Sequence, residues 1–341
     1  MSKLSPINQA RWLKFKHNRR GYWSLWIFAM LFVISMGAEL IANNKPLLVS
    51  YKGELYTPFL VNYSETTFGG EFKSEADYQD PYVINLIDKN GWALWAPIRF
   101  SYNTINYNSP SPFPAPPSAS NLLGTDDRGQ DVVANILYGF RISILFGLML
   151  TTISSVIGIA VGATQGYYGG KVDLIGQRLL EVWSGMPTLF LIILLSSVIQ
   201  PNFWWLLGIT ALFGWMALVG LVRAEFLRTR NFDYVRAARV MGVRDSKIML
   251  RHILPNAMVA TLTNLPFILC GSITLLTSLD FLGFGLPLGS PSLGGLLLQG
   301  KNNLQAPWLG ISGFFIVAFL LSLLIFIGEA VRDAFDPSKA Y

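Results

Sequence analysis

Long apolar runs separated by short polar segments dominate the pattern of this 341-residue sequence. A membrane hydrocarbon core about 30 Å thick is crossed by roughly 20 apolar residues in a helix. A helix also satisfies its own backbone polar groups, which lipid cannot do. The pattern therefore predicts six transmembrane helices, near residues 22–41, 143–162, 179–199, 203–222, 253–279 and 309–328.

The composition supports a membrane protein, because 52% of the residues are hydrophobic and only 13% are charged. Basic residues precede the first apolar run, as they do in a secretory signal. That run is longer than the apolar part of a signal peptide, and no small-residue cleavage site follows it. We expect a retained anchor, and we predict an all-α membrane protein with six transmembrane helices.

The distribution of basic residues predicts the orientation, because cytoplasmic loops carry the excess of lysine and arginine. Six such residues and no acidic residue precede the first run: Lys3, Arg11, Lys14, Lys16, Arg19 and Arg20. Loop 223–252 holds eight basic residues against three acidic ones, whereas segment 42–138 holds six against ten. We therefore expect cytoplasmic N- and C-termini and a periplasmic segment 42–138.

These predictions divide the chain into five regions. They are a basic cytoplasmic N-terminus (1–21), a first transmembrane helix (22–41), a periplasmic insert with a Pro-rich connector (42–138), a five-helix core that includes loop 223–252 (139–328), and a cytoplasmic C-terminus (329–341). The aromatic residues of the insert are compatible with a small folded lobe or with a loosely draped segment. The run SPSPFPAPPSAS at 109–120 predicts an extended connector. Cys270 is the sole cysteine, which excludes an intramolecular disulfide.

The sequence contains no evident energy source for transport. The centres of the predicted spans lack the ionisable residues that ion-coupled carriers use. Residues 295–302, GLLLQGKN, match the spacing of a phosphate-binding loop, but Asn302 replaces the required Ser or Thr and no strand precedes it. No metal-ligand cluster or catalytic triad is evident. We therefore expect a chain that is not an enzyme and binds no cofactor itself.

A basic block at residues 231–256, NFDYVRAARVMGVRDSKIMLRHILPN, interrupts the apolar pattern. It is compatible with a DNA-reading helix-turn-helix, with a loop that only orients the chain, or with a protein-binding surface. We predict a helix over 234–241, a left-handed turn at Gly242, and a second helix capped by Asp245 or Ser246 and running into Pro255. Small Ala237 and Ala238 would leave room for a partner, whose carboxylates the arginines could bind.

The block resembles the cytoplasmic coupling loop of bacterial ABC importer permeases, with the pattern Glu-Ala-Ala, three residues, Gly, nine residues, Ile-x-Leu-Pro. Arg236 and His252 depart from that pattern in a way that is similar to the peptide-importing branch. The resemblance implies that eight residues contact an ATPase: Tyr234, Arg236, Ala237, Ala238, Gly242, His252, Leu254 and Pro255.

Three other motifs resemble the oligopeptide and dipeptide permease branch, and together the resemblance spans about residues 121–338. The motif before the second run resembles GTDxxGRD through Gly124, Thr125, Asp126, Gly129 and Asp131, with Gln130 in place of arginine. An outer loop of the branch is matched by FLGFG at residues 281–285 and by Pro307-Trp308. The terminal GDxLRDxxDP motif is matched through Arg332, Asp333, Asp336 and Pro337.

The residues alone leave the roles of these motifs open. The first motif is compatible with a polar helix start capped by Asp126 or Asp127, or with contact to a binding protein or gate. The last motif is compatible with an ordinary charged helix end. Four polar residues of the fifth run either line a passage or bond neighbouring helices: Thr261, Asn264, Ser272 and Thr274.

The resemblance implies a type I importer fold and a complex with several partners. These are a second homologous permease, a cytoplasmic ABC ATPase that binds ATP and Mg²⁺, and a periplasmic peptide-binding protein, within membrane lipid and without nucleic acid. Within the branch, the chain is most similar to the permease of a peptide importer that also admits microcin C. Its implied substrates are oligopeptides and peptide antibiotics. The competing hypothesis is a membrane receptor or sensor with an extracytoplasmic ligand-binding segment.

Overall fold

The computed structural model describes residues 6–109 and 111–336, and Pro337 of the C-terminal motif lies outside them. Helix dominates the described chain. The first helices are α1 (Pro6–His17), α2 (Arg19–Met36) and α3 (Ala38–Ile41). The elements of the insert are β1 (Leu48–Tyr51), β2 (Glu54–Tyr56), a 3₁₀ turn (Glu65–Phe68), α4 (Pro81–Asn90) and β3 (Gly91–Leu94).

The rest of the chain is helical. Its elements are α5 (Val132–Tyr168), α6 (Gly170–Ser184), α7 (Thr188–Ser196), α8 (Phe203–Gly214), α9 (Met216–Thr229), α10 (Asp233–Val240), α11 (Asp245–Lys247), a π-helix (Ile248–Ile253), α12 (Leu254–Phe281), α13 (Leu293–Asn302) and α14 (Pro307–Phe335). The chain forms two compact units. The first unit comprises residues 1–30, 143–287 and 318–341, and the second comprises 31–142 and 288–317.

Four helical stretches of the described chain are long and apolar enough to cross a membrane: Val132–Tyr168, Phe203–Thr229, Asp245–Phe281 and Pro307–Phe335. A fifth span results if α6 and α7, which are bent by 57°, count as one. A mostly helical membrane fold with four or five candidate spans is therefore confirmed.

The helix at the first predicted span, 22–41, is not among the stretches that are long and apolar enough. α2 has 18 residues, and its first two are Arg19 and Arg20, so the remaining apolar part falls below the usual spanning length. Gly37 then separates α2 from the four-residue α3. The count of six spans therefore stays a prediction.

The third predicted span, 179–199, is broken rather than continuous. α6 ends at Ser184 and α7 begins at Thr188. Pro187 carries no backbone N–H, and its ring disfavours a helical conformation at Met186 before it. This proline explains the 57° bend. Hydropathy does not detect the break, because most residues of 179–199 are apolar.

A seam of glycines joins α5 to α9 in the first unit. A Cβ atom added at Gly158 would lie 2.5 Å from the carbonyl oxygen of Trp215, and one at Gly162 would lie 2.8 Å from that of Val219. One at Gly166 would lie 2.6 Å from the carbonyl oxygen of Arg223. Glycines four residues apart share one helix face, so the two backbones approach more closely than any side chain would permit.

The insert is a folded lobe of the second unit. Its antiparallel sheet has the strand order β2-β1-β3, with Val49 of β1 opposite Tyr56 of β2 and Ala93 of β3. Its buried side chains form one cluster: Val49, Tyr51, Phe68, Ala76, Tyr78, Val83 and Ile87. The prediction of an all-α fold is wrong here, because alternate residues of β1 are buried, as expected for a strand with one face on a core.

The Pro-rich connector contains neither helix nor strand over residues 111–120. It is nevertheless held at Ala115, whose N–H donates to Thr125 Oγ1 at 2.8 Å. The Thr125 N–H donates in turn to the Ala115 carbonyl oxygen at 2.9 Å. The connector is therefore irregular and is attached near its centre, and its extended form stays a prediction.

Residues 295–302, which match the spacing of a phosphate-binding loop, lie inside α13. The helix begins after Ser292, whose Oγ accepts the Gly295 N–H at 3.0 Å. Amides within a helix donate to carbonyls of the same helix. The segment therefore lacks the loop of open amides that a phosphate would require.

The glycine seam predicts an asymmetric response to alanine. We expect Gly162→Ala to lower the free energy of unfolding by about 1–3 kcal/mol, because its Cβ would overpack against α9. Gly220→Ala is the matched control, since no heavy atom lies within 4 Å of its added Cβ. Thermal unfolding of both variants in detergent tests this. Equal melting temperatures for the two variants would contradict a close-packed seam.

Candidate functional site

The first helix of the basic block ends as predicted. α10 covers Asp233–Val240, and Gly242 has a φ of 75°. The Gly242 N–H donates to the Arg239 carbonyl oxygen at 3.0 Å, and the Val243 N–H donates to that of Ala238 at 3.1 Å. These two bonds form a Schellman motif, which needs a left-handed residue at this position. The glycine elbow is therefore confirmed.

The predicted caps of the second helix are wrong. α11 begins at Asp245, so Arg244 occupies the N-cap position, and no side chain caps the helix. Asp245 Oδ1 instead accepts a hydrogen bond from the Tyr167 hydroxyl at 2.5 Å. The Asp245 carboxylate therefore bonds to a residue distant in the sequence and does not cap the helix.

The second helix is also not a separate short helix. α11 continues through the π-helix Ile248–Ile253 into α12, so helix runs from Asp245 to Phe281. The Leu254 N–H donates to the Met249 carbonyl oxygen, five residues earlier. The wider π turn lets the helix continue past Pro255, which has no N–H to donate. The block thus consists of one short helix and the start of a candidate membrane span.

One face of the block packs on α5 and α9 within the first unit. The buried residues form the docking cluster: Ala163, Tyr167, Val222, Phe226, Val235, Ala238, Ile248, Ile253 and Ala257. Val235 is fully buried and Ala238 is only 3% exposed. The prediction that Ala237 and Ala238 both leave room for a partner is therefore half wrong, since only Ala237 is exposed.

The opposite face of the block is exposed and mixes apolar with basic side chains. Val240 is 88% exposed, Met241 74% and Leu250 66%. We call this the exposed block surface, and it comprises Tyr234, Arg236, Ala237, Val240, Met241 and Leu250. Large exposed apolar residues beside polar groups are typical of protein-binding surfaces.

The predicted coupling residues fall on both faces of the block. Tyr234, Arg236, Ala237, Gly242 and Pro255 are exposed, His252 and Leu254 are half-buried, and Ala238 is buried. The Tyr234 hydroxyl is held in place, because it donates to the His252 carbonyl oxygen at 3.4 Å and accepts from Asn256 Nδ2 at 3.0 Å. These bonds link the two helical parts of the block.

The motif at residues 124–131, the signature loop, closes around a buried carboxylate in the second unit. Asp126 Oδ1 accepts the N–H groups of Arg128 at 2.9 Å and Gln130 at 2.8 Å. Its Oδ2 accepts from Gln299 Nε2 at 3.2 Å. Gly124 and Gly129 have φ values of 76° and 80°, which glycine adopts without strain. The loop therefore has a defined shape that its glycines and Asp126 create.

Asp131 caps α5, and the prediction of Asp126 or Asp127 as the cap is wrong. Asp131 Oδ1 accepts the Ala134 N–H at 2.8 Å, and its Oδ2 accepts from Asn121 Nδ2 at 2.8 Å. The error arises because α5 begins at Val132, before its continuous apolar run. Burial raises the pKa of both Asp126 and Asp131, and their hydrogen bonds oppose that rise.

Two of the predicted motifs meet in the second unit. Trp308 Nε1 donates to the Thr125 carbonyl oxygen at 3.3 Å. An added Cβ at Gly124 would lie 2.9 Å from the same nitrogen. The Pro307-Trp308 pair therefore packs directly on the signature loop.

The C-terminal motif lies at the end of α14. Arg332 faces a cleft that Glu225, Arg228 and Asn256 also line. Asp333 lies in the last turn of α14, and Asp336 follows the helix. This placement agrees with a charged helix end and leaves a functional role open.

The four polar residues proposed for a passage do not share one face of α12. Thr261 and Ser272 are buried, Asn264 is half-buried and Thr274 is exposed. Each side chain donates to the carbonyl oxygen four residues earlier in its own helix. The two buried residues therefore favour helix packing over pathway lining.

Tyr167 and Arg230 are contacts of the block that the sequence reasoning missed. Both lie outside the 231–256 block, Tyr167 in α5 and Arg230 just before the block. One feature of the sequence could have indicated the Tyr167 contact, namely Tyr-Tyr-Gly-Gly at residues 167–170. Gly169 has a φ of 62° and ends the apolar helix there. Aromatic residues at such a helix end are candidates for tertiary contacts.

The helical core and its motifs define a known class of transport protein. Residues 137–341 match the family described as binding-protein-dependent transport system inner membrane component, and the chain belongs to that family. It is 74% identical over 340 residues to the inner membrane ABC transporter permease protein YejE of Escherichia coli, with 100% of both chains covered.

Two further relatives extend this comparison. The chain is 54% identical over 362 residues to the peptidoglycan transport system permease protein YejE of Agrobacterium fabrum, covering 99% of this chain and 95% of that one. It is 34% identical over 242 residues to the oligopeptide transport system permease protein OppC of Lactococcus lactis, covering 70% and 82%. These similarities confirm the resemblance to ABC importer permeases and a multi-pass location in the inner membrane.

The buried carboxyl of Asp126 predicts a pH-dependent stability. Its raised pKa means that the folded state binds the proton more tightly, so stability is lost as the pH rises from about 4 through the folded pKa. We expect the melting temperature of the wild type to fall relative to Asp126→Asn between about pH 4 and pH 7. Exposed Asp127→Asn is the matched control. A difference between wild type and Asp126→Asn that does not change with pH would contradict this.

Proposed function

We propose that the chain is the transmembrane permease subunit of an ATP-driven peptide importer and forms half of its translocation pathway. The observation that carries the proposal is the basic block. Its exposed block surface faces solvent within the described chain, while its other face packs on α5 and α9 through the docking cluster. A partner that displaces this surface would therefore move two membrane helices.

The names of similar proteins support peptides as the substrate class. OppC of Lactococcus lactis is named an oligopeptide transport permease. DppC of Bacillus subtilis, named a dipeptide transport permease, is 33% identical over 227 residues and covers 65% of this chain. We extend the proposal to peptide antibiotics such as microcin C on the sequence resemblance described above.

The proposed topology has six spans, with both termini in the cytoplasm and the lobe in the periplasm. In this topology α6 and α7 form one broken span, and α2 is the first span. Arg19 and Arg20 at the start of α2 would extend to the lipid headgroups, where long basic side chains are tolerated. The excess of lysine and arginine before α2 and in loop 223–252 supports this orientation.

The proposed partners would supply the energy for transport, the other half of the pathway and the substrate. A cytoplasmic ABC ATPase would bind ATP and Mg²⁺ and contact the exposed block surface, and a second homologous permease would complete the pathway. A periplasmic peptide-binding protein would deliver the substrate. The description of the family as binding-protein-dependent supports that last partner.

A second substrate class follows from one relative. The Agrobacterium fabrum protein is named a peptidoglycan transport permease, and it matches 99% of this chain. Peptidoglycan fragments carry short peptides, so one pathway could admit both. The second candidate function is therefore the import of peptide-bearing cell-wall fragments.

Uptake by a deletion strain tests the proposed function. We expect deletion of the gene to abolish ATP-dependent uptake of labelled oligopeptides, and a plasmid copy to restore it. Competition with an excess of unlabelled tripeptide or of purified cell-wall fragments would rank the two substrate classes. Unchanged uptake of both in the deletion strain would contradict an importer and would favour a receptor or sensor.

A bulky residue at Ala237 should break coupling without removing the protein. Ala237 is exposed on the block, and a tyrosine there would hold a closely packed partner away. We expect Ala237→Tyr to lower uptake about tenfold or more, the size of an interface hot-spot effect. Immunoblots of membranes would show unchanged amounts of the chain.

The matched control is Ala10→Tyr, which places the same side chain on an exposed position of α1. Its uptake should equal that of the wild type. Normal uptake by Ala237→Tyr would show that the partner does not approach the block at this point.

A further inference from the structure

Polar groups from residues 230–245 hold the last turn of α5. Arg230 Nη1 donates to the carbonyl oxygens of Gly166 at 3.4 Å and Tyr167 at 3.3 Å. The last carbonyls of a helix lack partners within it and carry the negative end of its dipole. A guanidinium group is therefore well suited to this helix end, and it attaches the start of the block to α5.

Tyr167 contacts the block on both sides of its glycine elbow. Its hydroxyl donates to Asp245 Oδ1 at 2.5 Å, on the α11 side. The guanidinium carbon of Arg239, on the α10 side, lies 5.3 Å from the centre of the Tyr167 ring. One side chain of α5 thus bridges the two helical parts that Gly242 joins.

These two contacts are directional, unlike the apolar contacts around them. A hydrogen bond to a carboxylate is short and angle-dependent, and a cation over an aromatic ring prefers the ring face. The apolar contacts of the docking cluster, by contrast, are non-directional. The angle of the elbow therefore depends more on Tyr167 than on the packing.

We propose that Tyr167 is a positioning residue that fixes the angle of the Gly242 elbow and passes a displacement of the block to α5. This inference rests on the proposed function of the block. The positioning role depends on the hydroxyl group of Tyr167, because a phenylalanine would fill the same buried space without making this bond. A buried hydroxyl costs free energy unless it is bonded, and here Asp245 provides the acceptor.

Tyr168 supplies a matched control within the same turn. It is 52% exposed, and its hydroxyl makes no hydrogen bond within the described chain. Tyr168→Phe removes the same atom as Tyr167→Phe at the next position. Any effect of losing a tyrosine hydroxyl at this helix end as such would appear in both variants.

The test measures peptide uptake and ATP hydrolysis in the same proteoliposomes, containing the whole transporter complex. We expect Tyr167→Phe to lower the number of peptides moved per ATP about tenfold while ATP hydrolysis persists, since a hydrogen bond to a charged group is lost. Asp245→Asn keeps an acceptor oxygen and should lower the ratio less. Tyr168→Phe should match the wild type.

An unchanged ratio in Tyr167→Phe would overturn the inference. A parallel loss of uptake and hydrolysis, or a loss of the assembled complex, would also overturn it, because the residue would then be merely structural. Hydrogen exchange of the amides at residues 239–248 provides a readout that needs no substrate, and Tyr167→Phe should accelerate it. If the wild type moves no peptide but this acceleration is observed, the proposed function fails and the role of Tyr167 in fixing the elbow stands.

Discussion

The close approach of α5 and α9 along the glycine seam is the constraint on which the basic block depends. Gly158, Gly162 and Gly166 place the two backbones in contact, so Ala163 and Tyr167 of α5 lie beside Val222 and Phe226 of α9. The docking cluster is built on these four side chains. A larger residue in the seam would separate the two helices and disrupt the surface against which α10 packs.

The two faces of the block tolerate different side chains, because only the inner face packs against α5 and α9. The inner face needs small and apolar residues, and Ala238 is fixed there by the Schellman bond to Val243 and by its own burial. The outer face carries no such packing constraint, yet it exposes Val240 and Met241 beside basic side chains. Exposed apolar residues on a well-ordered helix are more easily explained by a protein partner than by topology alone.

The sequence was sufficient for features that depend on neighbouring residues and insufficient for those that depend on distant ones. A glycine after a helical stretch predicts its own left-handed conformation, and Gly242 confirms this. Asp245 looked like a cap because the capping rule considers only local amides, whereas Tyr167 lies 78 residues away. Hydropathy located the apolar centre of α5 but missed its first turns, where Asn135 and Arg141 interrupt the apolar residues. The capping role of Asp131 was therefore not apparent.

The bent pair of helices α6 and α7 exposes much apolar surface in the single chain. None of the residues of α6 is buried, although Leu174, Leu179 and Val182 are large and apolar. Between 28% and 44% of the apolar stretch of each of the four continuous spans is buried within the described chain. The remaining apolar surface must face lipid or another subunit, since water would make it unstable. The proposed second permease would bury part of this surface, and the translocation pathway would then lie between the two chains.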